Sequence, residues 1–152
     1  QCPYIEKMII VEEGLGPTNL SSLLPVGLVD LDDYEFIVQS DLIIDGDYNF
    51  SACHFQVNDN IKLSIPSNNL VTFGQSNYIR SILESCGDDW AGIDLSSNST
   101  LILDDTDIIN AGVGVKVNPS SGLVSAGSQY INCTTGIDID GTPSLTDIYL
   151  YF

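Results

Sequence analysis

Oxygen-bearing side chains gathered in short turns are the residues of this chain best suited by type to do chemistry. Asp45-Gly46-Asp47, Asn58-Asp59-Asn60 and Asp104-Asp105-Thr106-Asp107 each put several carboxylate or amide oxygens within a few residues. Hard cations take such ligands, so Asp45, Asp47, Asp104, Asp105 and Asp107 are the candidate metal ligands, and calcium is the ion they would suit. None of these segments carries the EF-hand or glycine-rich nonapeptide pattern, and solvated turn residues account for the same sequences. Trp90, the one tryptophan, is the candidate glycan-binding residue. Its ring either covers a junction between structural units or stands in solvent as a sugar-stacking platform.

Catalytic constellations do not assemble, and no catalytic residue is assigned. Glycoside hydrolysis needs two carboxyl groups about 5 to 9.5 Å apart across a cleft. The pairs Asp88-Asp89 and Asp104-Asp105 are adjacent in sequence, and adjacent residues on a strand point to opposite faces. Arg80 lacks a basic neighbour with which to act as the base of a β-elimination. His54, the one histidine, is flanked by Cys53 and Phe55 and is expected to be structural. There is no phosphate-cradling glycine loop.

The elements that must position these side chains are legible from a repeat. Leu101–Asn118 and Leu123–Asp140 align without a gap at an offset of 22 residues. The same offset joins Gly92, Gly114 and Gly136, each followed by an apolar-x-apolar triplet, and joins Leu101, Leu123 and Leu145. A period of that length is one solenoid coil. Leucine-rich repeats would need a leucine frame with a helical return. Here Gly92-Ile93-Asp94-Leu95 and Gly136-Ile137-Asp138-Ile139 alternate in the period of two that suits strands. The sequence therefore predicts an all-β fold, a right-handed parallel β-helix with coils of about 22 residues. Ile93, Val115 and Ile137 should form one inward stack, Leu95, Val117 and Ile139 a second. Asn110 and Asn132 share a coil position, which suits either an amide ladder or ordinary turn residues. Because the first coil of a solenoid must be covered, residues 1–33 are expected as an N-terminal capping segment and residues 34–152 as the β-helix. The early coils are irregular, and the register is firm from about Leu70.

Composition bounds the partners. Against 21 acidic residues stand Lys7, Lys62, Arg80 and Lys116, for a net charge of −17. Phosphate binding needs clustered cations, which excludes nucleic acid and anionic membrane as partners. No apolar run is long enough to span a bilayer. The chain begins Gln1-Cys2-Pro3, and a leading glutamine is what signal-peptide cleavage often leaves, so an exported protein is expected. The four cysteines, Cys2, Cys53, Cys86 and Cys133, include no Cys-x-x-Cys pair. Disulfides would fit export, and Cys53 with Cys86 is the pairing to test first, on nearby coils; Cys133 as a buried small apolar residue is the alternative for that position. Asn19, Asn49, Asn98 and Asn132 begin glycosylation sequons that matter only in a eukaryotic source.

The runs Leu42-Ile43-Ile44-Asp45, Cys86-Gly87-Asp88-Asp89-Trp90-Ala91-Gly92-Ile93 and Ser99-Thr100-Leu101-Ile102-Leu103 resemble the N-terminal part of secreted Bacteroidetes surface proteins of the parallel β-helix, pectate-lyase-like superfold. The resemblance covers roughly residues 34–140. It implies an exported, cell-surface protein of the type IX secretion cargo kind, although the sorting domain of such cargo is not in this sequence. The Gly-His-Gly and Arg-x-Lys motifs of polygalacturonase-like members are missing. The expected function is a non-catalytic surface or adhesive module that binds glycan or calcium and meets extracellular proteins or glycans. The alternative is the leading part of a polysaccharide lyase or glycoside hydrolase whose active site lies beyond residue 152. Ile148, Leu150 and Phe152 continue the apolar alternation to the last residue. The solenoid end is accordingly expected to be covered by more of a longer chain or by another subunit.

Overall fold

The computed structural model describes residues 7–14 and 16–140, together with the backbone of 147–151. The chain winds through six coils of three strands each. The first coil is β1 (Met8–Val11), β2 (Thr18–Asn19) and β3 (Asp30–Asp32); the second is β4 (Glu35–Val38), β5 (Leu42–Ile43) and β6 (Asn49–Ser51). The third holds β7 (His54–Val57), β8 (Lys62–Ile65) and β9 (Leu70–Gly74), and the fourth β10 (Ser81–Glu84), β11 (Gly92–Leu95) and β12 (Thr100–Asp104). The fifth is β13 (Thr106–Ile109), β14 (Val113–Val117) and β15 (Gly122–Ala126), and the sixth β16 (Gln129–Ile131), β17 (Thr135–Ile139) and β18 (Asp147–Tyr151). The first, second and third strands of successive coils pair in parallel to build three six-stranded sheets, here A, B and C. This is a right-handed parallel β-helix, the hand that parallel crossovers almost always take.

The two predicted stacks form. Ile93 pairs with Val115 and Val115 with Ile137, while Leu95, Val117 and Ile139 run alongside. Ile93, Leu95, Val115 and Val117 are buried, whereas Ile139 on the sheet-B edge strand is half exposed. The glycine column has a steric cause. At Gly92 the backbone is left-handed (φ 92°) and a Cβ would overlap the Val113 carbonyl oxygen. At Gly114 a Cβ would lie 2.5 Å from the Gly136 carbonyl oxygen. The coils approach so closely here that only a residue without a side chain fits. In sheet C the offset changes: Ile148 pairs with Leu123 where the 22-residue rule would put Leu145, which lies outside the described residues.

Residues 8–32, expected to belong to a capping segment, supply β1, β2 and β3, and each is the outermost strand of its sheet. Their coil offsets follow no single number. Met8 pairs with Glu35, Thr18 with Leu42 and Asp30 with Asn49. Inside these coils the core is aromatic. Phe36 stacks on Phe55 with centroids 4.2 Å apart, Phe50 stacks on Phe73 at 4.8 Å, and the two columns meet edge to face. Burying each ring contributes about 2 to 3 kcal/mol.

Corners are turned by residues in the left-handed region, and these stack by edge: Asn60, Asn110 and Asn132 between sheets A and B; Asn68, Asn98 and Ser120 between B and C; Asp33, Ala52 and Asp105 between C and A. Asparagine and aspartate tolerate that backbone because their short polar side chains bond locally.

Candidate functional site

Among the described residues, the edge between sheets A and B gathers open polar groups from four successive coils. After β7 the chain turns through Asn58, Asp59 and Asn60, with the amide of Ile61 donating to the Asn58 carbonyl at 3.2 Å. After β10 it makes a longer excursion, Ser85 to Ala91, held back on the previous coil by Ala91 N–H to the Ile61 carbonyl at 2.8 Å. The next two coils turn at Asn110 and Asn132. The Asn132 amide donates to Asn110 Oδ1 at 2.7 Å, and the Asn110 amide donates to the Ser85 carbonyl at 2.8 Å. The ladder reading of these asparagines is therefore correct, and it extends from the sixth coil to the fourth.

The excursion leaves a shallow groove. Asn60, Gly87, Asp88, Asp89, Asn110 and Asn132 line about 520 Å³ of it. Val57, Asn58, Asp59, Ser85, Cys86 and Gly87 line an adjoining part of about 390 Å³. Gly87 lines both parts, and a Cβ there would come within 2.8 Å of Asp59 Oδ1. Ser85 Oγ donates to Asp59 at 3.1 Å, and Thr134 Oγ1 to Asp89 at 3.4 Å. Asp59, Asp88 and Asp89 are exposed, and no lysine or arginine lines the groove. The site can accept hydrogen bonds from hydroxyls and draw in cations. Its charged groups are the carboxylates of Asp59, Asp88 and Asp89.

Strand alternation would point the adjacent pair Asp88 and Asp89 to opposite faces. They lie in a turn, where opposite-face alternation does not apply. The signal that marks them is the long gap between the β10 and β11 patterns.

Trp90 is fully buried beneath this edge, with its indole N–H donating to the Ile109 carbonyl at 2.9 Å. It bridges to Ala111 on the next coil. Its rings face protein on both sides, so the sugar-stacking role gives way to the structural one.

The expected calcium ligands are dispersed and already engaged. Asp45 accepts from the Ser21 amide at 2.9 Å and its hydroxyl at 2.5 Å, and Asp47 accepts from the Leu70 amide at 2.7 Å, both on the edge between B and C. On the edge between C and A, Arg80 donates to Asp107 Oδ1 at 2.7 and 3.0 Å and lies 3.4 Å from Asp105, while Asp104 ends β12 in solvent. These carboxylates satisfy backbone and guanidinium donors instead of converging. Among the described residues no group of three His, Cys, Asp or Glu side chains is placed to hold a metal.

His54 stands on the outer face of sheet A between two carboxylates, with Nδ1 2.9 Å from Glu35 and Nε2 3.0 Å from Glu84. Gln56 Nε2 donates at 3.0 Å to Glu35 Oε1, the same oxygen that lies 2.9 Å from His54 Nδ1. Both ring nitrogens lie within hydrogen-bond distance of a carboxylate, which fits the structural role expected for this residue. Sequence reasoning gave His54 no partners, because Glu35 and Glu84 lie at unequal offsets before and after it.

Cys53, Cys86 and Cys133 are free thiols, and Cys2 lies outside the described residues. The expected Cys53–Cys86 bridge does not form. Since His54 pairs with Ile82, Cys53 sits at the start of β7 and Cys86 beyond the far end of β10, about 16 Å apart along the strands. A disulfide needs Cα atoms within about 7 Å. Burial pushes the Cys53 thiol up to about 11. Cys133 is half-buried and packs against the core, and burial raises its thiol too.

Comparison with known proteins leaves the architecture as the only identity established here: no protein-family model, no curated protein and no solved structure matches this parallel β-helix.

Proposed function

We propose that the chain is an extracellular, non-catalytic surface or adhesive module whose rigid β-helix presents the groove between sheets A and B to a hydroxyl-rich ligand, a glycan. One observation carries this reading: carboxylates of Asp88 and Asp89 and amides of Asn60, Asn110 and Asn132 open into a single groove. A carboxylate accepts from vicinal hydroxyls, and an amide both donates and accepts, so together they match the mixed donor and acceptor pattern of a sugar ring. The ladder fixes two of the amides in advance, which lowers the ordering cost of binding. Calcium would be drawn to the same carboxylates and would bridge them to sugar oxygens. The resemblance to exported Bacteroidetes surface proteins of the type IX cargo kind agrees with a module that works outside the cell.

The test is a titration of the isotopically labelled protein with neutral gluco-, manno- and galacto-oligosaccharides, with calcium or with EDTA. Binding should shift the side-chain amides of Asn110 and Asn132 and the backbone of Gly87–Asp89, and Asp88→Ala with Asp89→Ala should abolish the shifts. Saturable binding that maps to another face, or that the double variant retains, would reject the groove as the ligand site.

A further inference from the structure

The outer face of sheet A differs from that of sheet B. In register along the axis, one outward column of sheet A runs Ile10, Ile37, Gln56, Glu84, Ile109, Ile131. The neighbouring column adds Met8 at one end and Ile82 beside His54. Ile10 is 49% exposed, Met8 42% and Ile131 41%. The equivalent outward column of sheet B is Asn19, Ile43, Ser64, Asp94, Lys116 and Asp138, with one aliphatic residue in six. The same solenoid thus keeps one face mostly polar, Ile43 excepted, while leaving aliphatic side chains at both ends of another, around the Glu35–His54–Glu84 network. Aliphatic side chains grouped in register at the two ends of one face are candidates for an interaction surface.

Both long borders of the face are mainly acidic, although exposed Lys7 stands on the sheet-C side with its Nζ donating to the Asp32 carbonyl at 2.8 Å. Exposed Glu12, Glu13, Asp59, Asp88 and Asp89 line the edge toward sheet B, and exposed Asp32 and Asp33 the edge toward sheet C. On the latter edge Arg80 is already committed to Asp105, Asp107 and the Gly127 carbonyl. There, too, Ser76 and Ile79 exchange two backbone hydrogen bonds of 3.0 and 2.9 Å around Asn77 and Tyr78, both left-handed at φ 50° and 65°. Such a two-residue turn ordinarily places glycine second. Here it holds a tyrosine that is 95% exposed beside an isoleucine that is 58% exposed. A bulky residue held in that conformation with nothing packed on it is a feature to expect at a recognition surface.

We infer that the outer face of sheet A docks an extended cationic polypeptide segment, whose alternate aliphatic side chains lie on the isoleucine columns and whose lysines or arginines reach the acidic borders. Six strands span about 24 Å along the axis, the length of about seven extended residues. A second copy of this chain is the wrong occupant on charge: each carries −17, and the acidic borders would oppose one another. The isoleucine columns lie outside the groove proposed for glycan, although Asp59, Asp88 and Asp89 border both surfaces, and the inference does not rest on that reading.

The experiment uses the full chain and a fluorescein-labelled 12-residue peptide of alternating lysine and valine, followed by anisotropy at low and high salt. Alternating glutamate-valine and lysine-glycine peptides are the controls. The lysine-valine peptide should bind, weaken as salt rises, and shift the isoleucine methyl resonances of Ile37, Ile82 and Ile109 but not Ile102 on sheet C. Ile37→Thr with Ile109→Thr, which keeps β-branched residues on the strands, should weaken binding by about tenfold or more, and Val124→Thr should leave it unchanged. Equal binding of the lysine-glycine peptide would reduce the effect to bulk charge and overturn the proposal. So would methyl shifts on sheet C, absence of binding, or a dimer in sedimentation that the isoleucine pair abolishes, which would give the face to a second copy. Because the methyl mapping is done on the unmodified chain, the outcome does not depend on the variants folding.

Discussion

The side-chain amide of Asn132 donates to the side-chain oxygen of Asn110 across 2.7 Å, and the two residues are one coil apart at the same corner, both in the left-handed region at φ 53° and 56°. One residue type solves two problems there: it accepts the backbone angle of the corner and passes a hydrogen bond to the next coil.

Substitutions at Asn110 should separate those two contributions. Asn110→Gly keeps the backbone and loses the two ladder bonds, for an expected cost of about 1 to 2 kcal/mol. Asn110→Ala loses the same bonds and adds the left-handed penalty of a Cβ, about 1 kcal/mol more. Chemical denaturation of both variants measures the difference; equal costs would mean that the corner imposes no conformational demand.

Gly92→Ala should be among the most damaging single-methyl additions available. Its φ of 92° and the overlap with the Val113 carbonyl leave backbone displacement as the only escape. The expected loss is about 3 kcal/mol or more, and it is seen as a lowered melting temperature. Addition of a methyl at Gly112, where the nearest heavy atom is the Trp90 carbonyl oxygen at 3.7 Å, should be far milder.

Val115→Asp places a carboxylate between Ile93 and Ile137 with no cation at hand. Several kcal/mol of destabilisation are expected. Lys116→Ser, one residue along and facing solvent, should change stability by less than about 1 kcal/mol. Similar melts for the two variants would contradict the inward assignment of Val115.

The regular half of this fold was readable because its coils repeat at one offset, so that Ile93, Val115 and Ile137 announce their contact in the sequence itself. The irregular half hid for the same reason in reverse. Met8, Glu35, His54 and Ile82 are successive partners in one sheet but are unevenly spaced in the chain, and β2 and β5 have two residues each, too few for alternation to register. The acidic turns misled because a carboxylate that accepts from the Leu70 amide has the same sequence as one that waits for calcium. The groove was missed because its walls come from four different turns, each unremarkable by composition.

Thiol chemistry should report the three described cysteines in order. At pH 8 iodoacetamide should modify exposed Cys86 first and spare buried Cys53. The Cys53 thiol titrates near 11 when folded against an ordinary value of 9.0. Below pH 9 both states hold the proton and the contribution is complete. Between about pH 9 and 11 the unfolded chain ionises while the folded one does not, so stability falls as pH rises, by about 3 kcal/mol in total. Cys53→Ala should remove that component of the alkaline slope. Peptide mass mapping and a pH series of melts check the two statements; early labelling of Cys53 would show that this corner opens readily.

The excursion from Gln75 to Arg80 interrupts one coil, yet β9 still pairs with β12 and β10 with β13 residue for residue. Contour length and cross-section are thereby uncoupled in this rod: extra residues leave at a corner, and the strands above and below meet as if nothing had been inserted. Such a scaffold can change what it displays on one edge by altering a single hairpin, while the stacking that keeps it folded goes unrevised.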